Sequence, residues 1–338
     1  MNDLSRLLKF AYSLMKMGEN SRFFNSSKLI IEKDSSLESG GNYDLYLPST
    51  TCSTIAVALH GVTIDGKNDA RLIQFAKTLA SSGVACAVPH LANLARGRFH
   101  SDDLKLVCEL INQLQRHQKK EAGLIGFSYG GSYALTVAAK KELAQKLSFV
   151  VSFGASYSIA ESLAKYASTD YKPVSDLEWD NFIHLALIGA CQFREALELS
   201  DSAVAESERL LRHYCTLENI ARKRDFYQQN LASYELVSRF ITSILTEDLE
   251  SLSPVGKLAN VDCNVSLIHG ADDHMIAPDD SRRIFSELTR AGNGSNTRLL
   301  ITRLLSHVNP GEITFFESLQ FLKSIKQIFE NPEKHETA

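Results

Sequence analysis

The sequence predicts an α/β fold with a doubly wound, mostly parallel sheet that is interrupted by an all-helical insertion. Three observations support this prediction. Short apolar runs alternate with amphipathic helical patterns up to about residue 154, the alternation stops between about residues 155 and 252, and it then resumes. Strands that read as unbroken apolar runs are typical of parallel sheets with helices on both faces.

The N-terminal residues predict a short amphipathic helix rather than a signal peptide, because lysines interrupt the apolar stretch and no small-residue cleavage site follows it cleanly. Its predicted apolar face consists of Leu4, Leu7, Leu8, Ala11 and Met15. Such a face could also make weak contact with a membrane interface. After the helix, residues 28–33 and 43–47 have strand patterns and are joined by a turn, so they predict a β-hairpin.

The parallel part of the sheet begins with two buried strands, Ile55–Leu59 and Val84–Val88. A polar loop and a helix lie between them, and Gly83 ends that helix. A loop over about residues 90–101 then leads to a second amphipathic helix over about 104–114. This alternation implies right-handed crossovers and a sheet that is covered on both sides.

The apolar strand Leu124–Phe127 runs into the stretch Gly126-Phe127-Ser128-Tyr129-Gly130, and small, helix-forming residues follow. The order of strand, sharp turn and helix predicts a serine in a strained conformation, with its hydroxyl presented at the end of a sheet. Such a turn requires glycine at positions 126 and 130, because a Cβ at either position would collide with the crossing strand and helix. The five-residue pattern also occurs by chance, so its meaning depends on partner residues elsewhere.

The insertion follows the next predicted strand, Leu147–Phe153. Between about residues 155 and 252 there is no good strand pattern and almost no glycine, which indicates four or five helices. The later elements are the strand Val265–Ile268, a helix over about 280–291, the strand Leu299–Leu304 and a helix over about 312–329. The predicted division is an N-terminal helix (1–24), the first part of the α/β core (25–154), a helical cap (155–253), the second part of the core (254–330) and a tail (331–338).

Composition limits the classes of partner. Hydrophobic residues make up 44% of the chain and charged residues 22%, with a net charge of -4, so nothing indicates nucleic acid as a partner. No apolar run approaches the roughly 20 residues that cross a bilayer. The six cysteines are scattered without a Cys-x-x-Cys pair, which favours reduced thiols and a cytoplasmic location over disulfides or a zinc site. No pattern indicates the oligomeric state.

Two later loops carry residues that could activate the serine. A serine hydroxyl needs a base to remove its proton and a third group to orient that base. The loop after the penultimate predicted strand contains Asp272 and Asp273 between His269 and His274, and the loop after the last strand contains His307. The group of His269, Asp272, Asp273 and His274 could also bind a metal ion. Its spacing, however, matches a loop that carries the acid of a triad, and a single loop rarely supplies all the ligands of a zinc ion.

Four signatures, in this order along the chain, resemble the α/β-hydrolase superfamily. They are His60-Gly61 at a strand end, Gly126-x-Ser128-x-Gly130, the Gly270-x-x-Asp273 loop with Ile276 and Pro278, and the late His307. The resemblance covers about residues 28–154 and 254–330, and the helical stretch between them is similar to the caps that this family inserts.

The resemblance implies Ser128 as nucleophile, His307 as general base and Asp273 as the acid that orients the base. It also implies an oxyanion hole formed by the backbone N–H groups of Val62 and Tyr129, and it requires no metal or organic cofactor. Asp272 stays open as an alternative acid, although its spacing from Gly270 and Pro278 fits less well than that of Asp273.

The expected activity is hydrolysis of a small-molecule carboxylic ester or thioester by a serine hydrolase. Hydrolysis of an amide, peptide or carbon–carbon bond, acyl transfer, and a non-catalytic binding role all stay open, because a fold and a triad do not choose between them. Trp179 and Phe182 in the cap are candidates for substrate contact. His60 is a further candidate, although a structural hydrogen-bonding role in the oxyanion loop is the stronger expectation for it.

Overall fold

The protein is described by a computed structural model. The described residues are 3–15, 29–118, 121–143, 145–167, 248–273, 275–306, 309–310 and 315–330, together with parts of 200–230. The strands are β1 (Ile30–Ser36), β2 (Asn42–Leu47), β3 (Thr54–Leu59), β4 (Ala85–Pro89), β5 (Glu121–Phe127), β6 (Leu147–Phe153), β7 (Asn264–Gly270), β8 (Thr297–Thr302), β9 (Leu305–Ser306) and β10 (Asn309–Pro310). The α-helices are α1 (Asp3–Met15), α2 (Ala70–Ser81), α3 (Ala92–Ala95), α4 (Ser101–Gln118), α5 (Tyr129–Ala138), α6 (Ile159–Ala167), α7 (Ile220–Asn230), α8 (Leu249–Leu252), α9 (Pro278–Arg290) and α10 (Phe315–Ile325).

The first eight strands form one sheet in the order β1-β2-β4-β3-β5-β6-β7-β8. β1 and β2 pair as the predicted antiparallel hairpin, and β2 joins β4 in the antiparallel sense. All pairings from β4 across to β8 are parallel. The predicted doubly wound, mostly parallel sheet is confirmed. Because parallel strands end at the same edge, the loops after β3, β5, β7 and β8 meet there.

Helices cover both faces of the sheet, which explains why its strands read as continuous apolar runs. Along β5, Leu124 packs into a core cluster with α4, α5 and α9, whereas Ile125 packs into a second cluster with α1, α2 and α10. The same division separates Val57 from Ala58 in β3. Successive side chains of a strand point to opposite faces, so both must be apolar when both faces are covered.

Helix α1 exists, but its predicted apolar face is wrong in part. Leu7 and Ala11 are buried with Phe10, whereas Leu4 and Leu8 are 63% and 51% exposed. The Phe10 ring lies 5.6 Å from Phe75 and 5.4 Å from Phe329, measured between ring centroids. The side chain of Arg6 donates to the carbonyls of Ser82 and Gly83 just beyond α2. These polar contacts fix the rotation of α1 and turn its first leucines outward.

The structure differs from the sequence prediction in one additional helix and in the end of one strand. Hydrogen bonds that the pattern of apolar residues does not indicate explain both differences. Helix α3 lies inside the predicted loop, where the Asp103 carboxylate accepts hydrogen bonds from the backbone N–H groups of Asn93 and Leu94. The last predicted strand ends at Thr302, whose side-chain hydroxyl accepts from the N–H group of Leu304. Leu305 and the next residue then form β9.

The chain leaves the sheet after β6 and returns at β7, and the described stretches between them contain α6, α7 and α8 but no strand. The two ends of this segment are joined, since the Ile159 N–H group donates to Ser253 Oγ at 3.0 Å and the Val255 N–H group donates to the Tyr157 carbonyl at 3.2 Å. Most of the predicted cap lies outside the described residues, so its extent stays a prediction. Within the described part of the chain, no helix has both the length and the apolar character required to cross a membrane.

Candidate active site

Ser128 lies in the sharp turn between β5 and α5, as predicted for a serine of this motif. Its backbone has φ 55° and ψ -130°, and Asp34 is the only other non-glycine residue with positive φ in the described part of the chain. The Ser128 N–H group donates to the Phe153 carbonyl at 2.7 Å, and its own carbonyl accepts from the Gly131 N–H group at 2.8 Å. Hydrogen bonds on both sides of the serine therefore hold a conformation that non-glycine residues rarely adopt.

Close packing explains the two glycines of the motif. A Cβ on Gly126 would overlap the backbone of Gly130 and Gly131 in the first turn of α5. A Cβ on Gly130 would overlap the carbonyl oxygens of Leu59 and His60 at the end of β3. Both expected collisions, with the helix and with the neighbouring strand, are present. The turn can therefore approach β3 only if these positions lack a side chain.

The loop after β3 lies directly against Ser128. An ideal Cβ on Gly61 would be 3.0 Å from Ser128 Cβ and 3.6 Å from Ser128 Oγ. The half-buried Val62 is the next residue after Gly61, and Tyr129 is the next after Ser128 and begins α5. The first N–H groups of a helix have no partner within the helix. The N–H groups of Val62 and Tyr129, which are implied for the oxyanion hole, thus belong to the residues that directly follow the two contacting residues, Gly61 and Ser128.

His60 connects the ends of β3 and β4. Its Nε2 accepts the N–H group of Leu91 at 3.1 Å, so we assign the ring proton to Nδ1, which donates to the Gly61 carbonyl at 2.7 Å. The ring is buried, and burial lowers its pKa from 6.5 to about 4, so it is neutral near pH 7. Because backbone groups occupy both ring nitrogens, this geometry favours the structural role of His60 over contact with a substrate.

The side chain of Tyr129 links the serine turn to the beginning of the insertion. Its ring packs edge to face on Phe99, with the ring centroids 5.0 Å apart. Its hydroxyl lies 3.1 Å from Ser162 Oγ in α6. Burial raises the pKa of Tyr129, so the phenol stays protonated at neutral pH. Helix α6 is therefore packed beside the residue that follows the serine.

The two candidate acids differ in environment. Asp273 is buried, and its Oδ1 accepts the backbone N–H groups of Met275 at 2.9 Å and Ile276 at 3.1 Å. Asp272 is exposed to solvent. Fixed amide donors hold a carboxylate in one orientation, which is what an acid that orients a base requires. The structure thus gives Asp273 the environment of such an acid and gives Asp272 that of a surface residue.

The other residues of the acid loop do not converge on one point. His269 contacts Asp273, since its Nε2 lies 3.2 Å from Asp273 Oδ2. Asp272 faces solvent, and His274 lies outside the described residues. No cluster of three or more potential metal ligands occurs among the described side chains. The sequence suggested His269 only as a possible metal ligand. Its position in a buried strand, one residue before Gly270, was the one sequence feature that could have indicated a contact with Asp273.

Three predicted site residues, His307, Trp179 and Phe182, lie outside the described residues. On either side of the His307 position, Ser306 and Asn309 pair across β9 and β10. The preceding strand, β8, lies beside the acid loop, because the Ala271 N–H group donates to the Thr302 carbonyl at 2.8 Å. The end of β8 and the beginning of the acid loop are therefore adjacent at the sheet edge.

Comparison with known proteins identifies the fold. No protein-family model matches the sequence, and no curated protein sequence matches it significantly. An esterase of Pyrococcus furiosus has a similar structure, with a TM-score of 0.51 at 11% identity over 89% of this chain and 90% of the esterase.

Two further structures are less similar. A dienelactone hydrolase of Anabaena variabilis gives a TM-score of 0.46 at 15% identity, over 90% of this chain and 97% of that chain. An acylaminoacyl peptidase of Pyrococcus horikoshii gives 0.48 at 13% identity, and 84% of this chain spans 38% of the peptidase. The strand order, the serine turn and the likeness to the esterase together show that this chain has the α/β-hydrolase fold.

Proposed function

We propose that this protein is a serine hydrolase that cleaves a carboxylic ester or thioester through an acyl-enzyme on Ser128. The observation that carries the proposal is the conformation of Ser128 at the carboxyl edge of the sheet, against Gly61. A positive φ at a non-glycine residue costs about 1 to 2 kcal/mol, and folds retain such strain mainly at functional sites.

The proposed first half-reaction forms the acyl-enzyme. His307 accepts the hydroxyl proton of Ser128 while Ser128 Oγ attacks the carbonyl carbon of the substrate, and the carbonyl oxygen becomes an oxyanion. The N–H groups of Val62 and Tyr129 donate to this oxyanion, and each such donor typically contributes about 3 kcal/mol to transition-state stabilisation. The imidazolium of His307 then protonates the leaving alcohol or thiol as its bond to the acyl carbon breaks.

In the proposed second half-reaction, water releases the acyl group. His307 removes a proton from a water molecule, whose oxygen attacks the acyl carbon and again forms an oxyanion in the same N–H pair. When the intermediate collapses, Ser128 Oγ leaves and takes the proton back from His307. The product is a carboxylic acid, and the cycle uses no metal or organic cofactor.

The environment of Asp273 supports its proposed role as the orienting acid. Two backbone amides bind its Oδ1, and burial limits competition from water. The carboxylate can therefore hold the tautomer of His307 that accepts a proton from serine. The exposed carboxylate of Asp272 has no comparable restraint among the contacts that the structure describes.

The proposed helical cap, residues 155–253, supplies the substrate pocket and includes Trp179 and Phe182 as lining residues. The contact between Tyr129 and Ser162 supports this proposal, because it brings the first helix of the insertion to the serine turn. The partner is then a small-molecule ester or acyl compound. We also propose a cytoplasmic location on the strength of the scattered cysteines, and any weak membrane contact of α1 would use the exposed Leu4 and Leu8.

Labelling with a fluorophosphonate tests the nucleophile without knowledge of the substrate. We expect the wild-type protein to gain one phosphonyl group, and peptide mapping to place it on Ser128. Ser128→Ala should not react, whereas Ser286→Ala, a control on the helix α9, should react like the wild type. An unlabelled wild-type protein, or a label on another residue, would contradict the proposal and favour a non-catalytic binding role.

A substrate panel tests the bond type. p-Nitrophenyl esters graded by acyl length, acyl-CoA thioesters and matched anilides present the same acyl groups with different leaving groups. We expect turnover of the esters or thioesters and slower turnover of the anilides. A clear preference for the anilides would redirect the proposal to amide or peptide hydrolysis with the same residues.

A further inference from the structure

His269 is a buried side chain whose two ring nitrogens both have polar partners. It lies in β7, one residue before the strand ends, and is fully buried. Its Nδ1 lies 2.7 Å from Ser281 Oγ in α9. Its Nε2 lies 2.9 Å from the Ile276 carbonyl oxygen and 3.2 Å from Asp273 Oδ2. The ring therefore bridges α9 and the carboxylate of the proposed orienting acid.

These partners decide where the ring proton lies. The Ile276 carbonyl oxygen can only accept a hydrogen bond, and so can an ionised Asp273, so Nε2 must carry hydrogen. In the neutral ring Nδ1 then accepts the hydroxyl proton of Ser281, which can act as donor or acceptor. Protonation of the ring would leave the Nε2–H group in place, so His269 donates towards Asp273 in either state.

The two oxygens of Asp273 then have different hydrogen-bond donors. Oδ1 accepts from the backbone N–H groups of Met275 and Ile276, while Oδ2 accepts from Nε2 of His269. A carboxylate oxygen has two acceptor sites, so Oδ2 can share its charge between His269 and a second donor. Among the described residues, Tyr129 from α5 and Asp280 from α9 also act electrostatically on this pair.

We propose that His269 is a positioning residue, which holds Asp273 Oδ2 and limits how strongly that oxygen attracts the proton of the general base. The inference rests on the proposed function, because it takes Asp273 as the orienting acid and His307 as the base. When the Nε2 donor is removed, Oδ2 directs more of its charge to the base, which favours the imidazolium. The pKa of the base should then rise, and with it the acid limb of the pH profile.

Two amide variants separate this role from a structural one. In His269→Gln the terminal amide reaches approximately the place of Nε2 and can still donate to Asp273. In His269→Asn the amide reaches only the place of Nδ1 and can contact Ser281 but not Asp273. Both replacements are polar and uncharged, so they form a matched pair. The measurement is the rate constant of Ser128 phosphonylation by a fluorophosphonate as a function of pH, with thermal unfolding recorded for each variant.

We expect the acid limb of His269→Asn to move to higher pH by about 0.5 to 1 unit, and that of His269→Gln to stay close to the wild type. A purely structural role predicts lower rates or stability in both variants with no difference in their pH profiles, and that result would overturn the inference. A wild-type protein that does not react would instead count against the proposed function.

A measurement on the folded wild-type protein tests the inference even if both variants fail to fold or no labelling occurs. In a protein with 15N-labelled histidine, NMR identifies the protonated nitrogen of each ring. The His269 signals are recognised by their change in Ser281→Ala, because Ser281 Oγ contacts Nδ1 of this ring. We expect a proton on Nε2 whose resonance moves when Asp273 is replaced. A His269 ring that is protonated on Nδ1 alone cannot donate to Asp273, so this finding would also overturn the inference.

Discussion

Replacing Lys67 by methionine tests whether a buried ion pair fixes the loop that follows β3. Lys67 is buried, and its Nζ lies 2.5 Å from Asp44 Oδ1 and 2.6 Å from Asp34 Oδ1. Asp44 is fully buried in β2 and also accepts hydrogen bonds from Lys33 Nζ and the Asp34 N–H group. Methionine keeps an unbranched apolar side chain as far as Cε but removes the charged Nζ group, so Asp44 loses one of its two cationic partners.

The expected destabilisation follows from the burial of Asp44. Removing one partner of a buried ion pair typically costs about 3 to 5 kcal/mol, because the remaining charge is left uncompensated. Lys33 still neutralises part of the charge of Asp44, so we expect the lower end of this range, about 3 kcal/mol. Lys105→Met is the matched control, since Lys105 pairs with Asp102 at 2.8 Å where both side chains are exposed, and it should leave stability nearly unchanged.

The dependence on pH gives a second measure of the same pair. Burial alone would raise the pKa of Asp44, but the hydrogen bonds from Lys33 and Lys67 outweigh it and hold the pKa below its usual value. This group therefore stabilises the fold above the usual pKa of an aspartate, and the contribution is lost as the pH falls through the folded-state pKa. In Lys67→Met the folded-state pKa of Asp44 should lie closer to its usual value, so this loss should be smaller and should be complete at a higher pH.

The assay is urea unfolding of the wild type, Lys67→Met and Lys105→Met at neutral pH and at several lower values. The free energy of unfolding is extrapolated to zero denaturant for each protein. If Lys67→Met is as stable as Lys105→Met at neutral pH, the ion pair does not contribute as its burial implies, and the reasoning is refuted.

Two further predictions concern residues at the sheet edge. Asp273→Asn should lower the rate of Ser128 phosphonylation by about two to four orders of magnitude, and Asp272→Asn should leave it nearly unchanged; the reverse order would make Asp272 the acid. His60 has a folded-state pKa of about 4, below its ordinary 6.5, so the unfolded chain takes up a proton first as the pH falls. The free energy of unfolding should therefore decline by about 3 kcal/mol between pH 6.5 and pH 4 because of His60. In His60→Gln the free energy of unfolding should not show this part of the decline. An equal decline in both proteins would show that His60 titrates normally.

The sheet and the serine turn could be predicted because their signals are local. Leu124 and Ile125 face opposite cores, so a strand covered on both sides must be apolar throughout, and that run is visible in the sequence. Gly126 and Gly130 stand at fixed distances from Ser128, and each avoids a collision that the fold imposes. Features of this kind need only a few consecutive residues.

Other features depend on residues that are distant in sequence and could not be predicted. The rotation of α1 is set by carbonyl groups beyond α2 and by Phe75 and Phe329, so the predicted face was right for Leu7 and Ala11 but wrong for Leu4 and Leu8. Helix α3 is stabilised by Asp103, which follows it, rather than by a capping residue before it. Likewise, the strand that contains His269 gives no sign that its Nδ1 meets Ser281 and its Nε2 meets Asp273.

The contact between Phe10 and Phe329 also affects how the chain folds during synthesis. Phe10 is synthesised more than 300 residues before Phe329, one of its aromatic partners. Contacts of such long sequence separation form late, because a very large loop must close first. Until then, the part of the Phe10 ring that contacts Phe329 is uncovered and can associate with other chains or with a chaperone. The docking of α1 is thus completed only when the segment around Phe329 has been made.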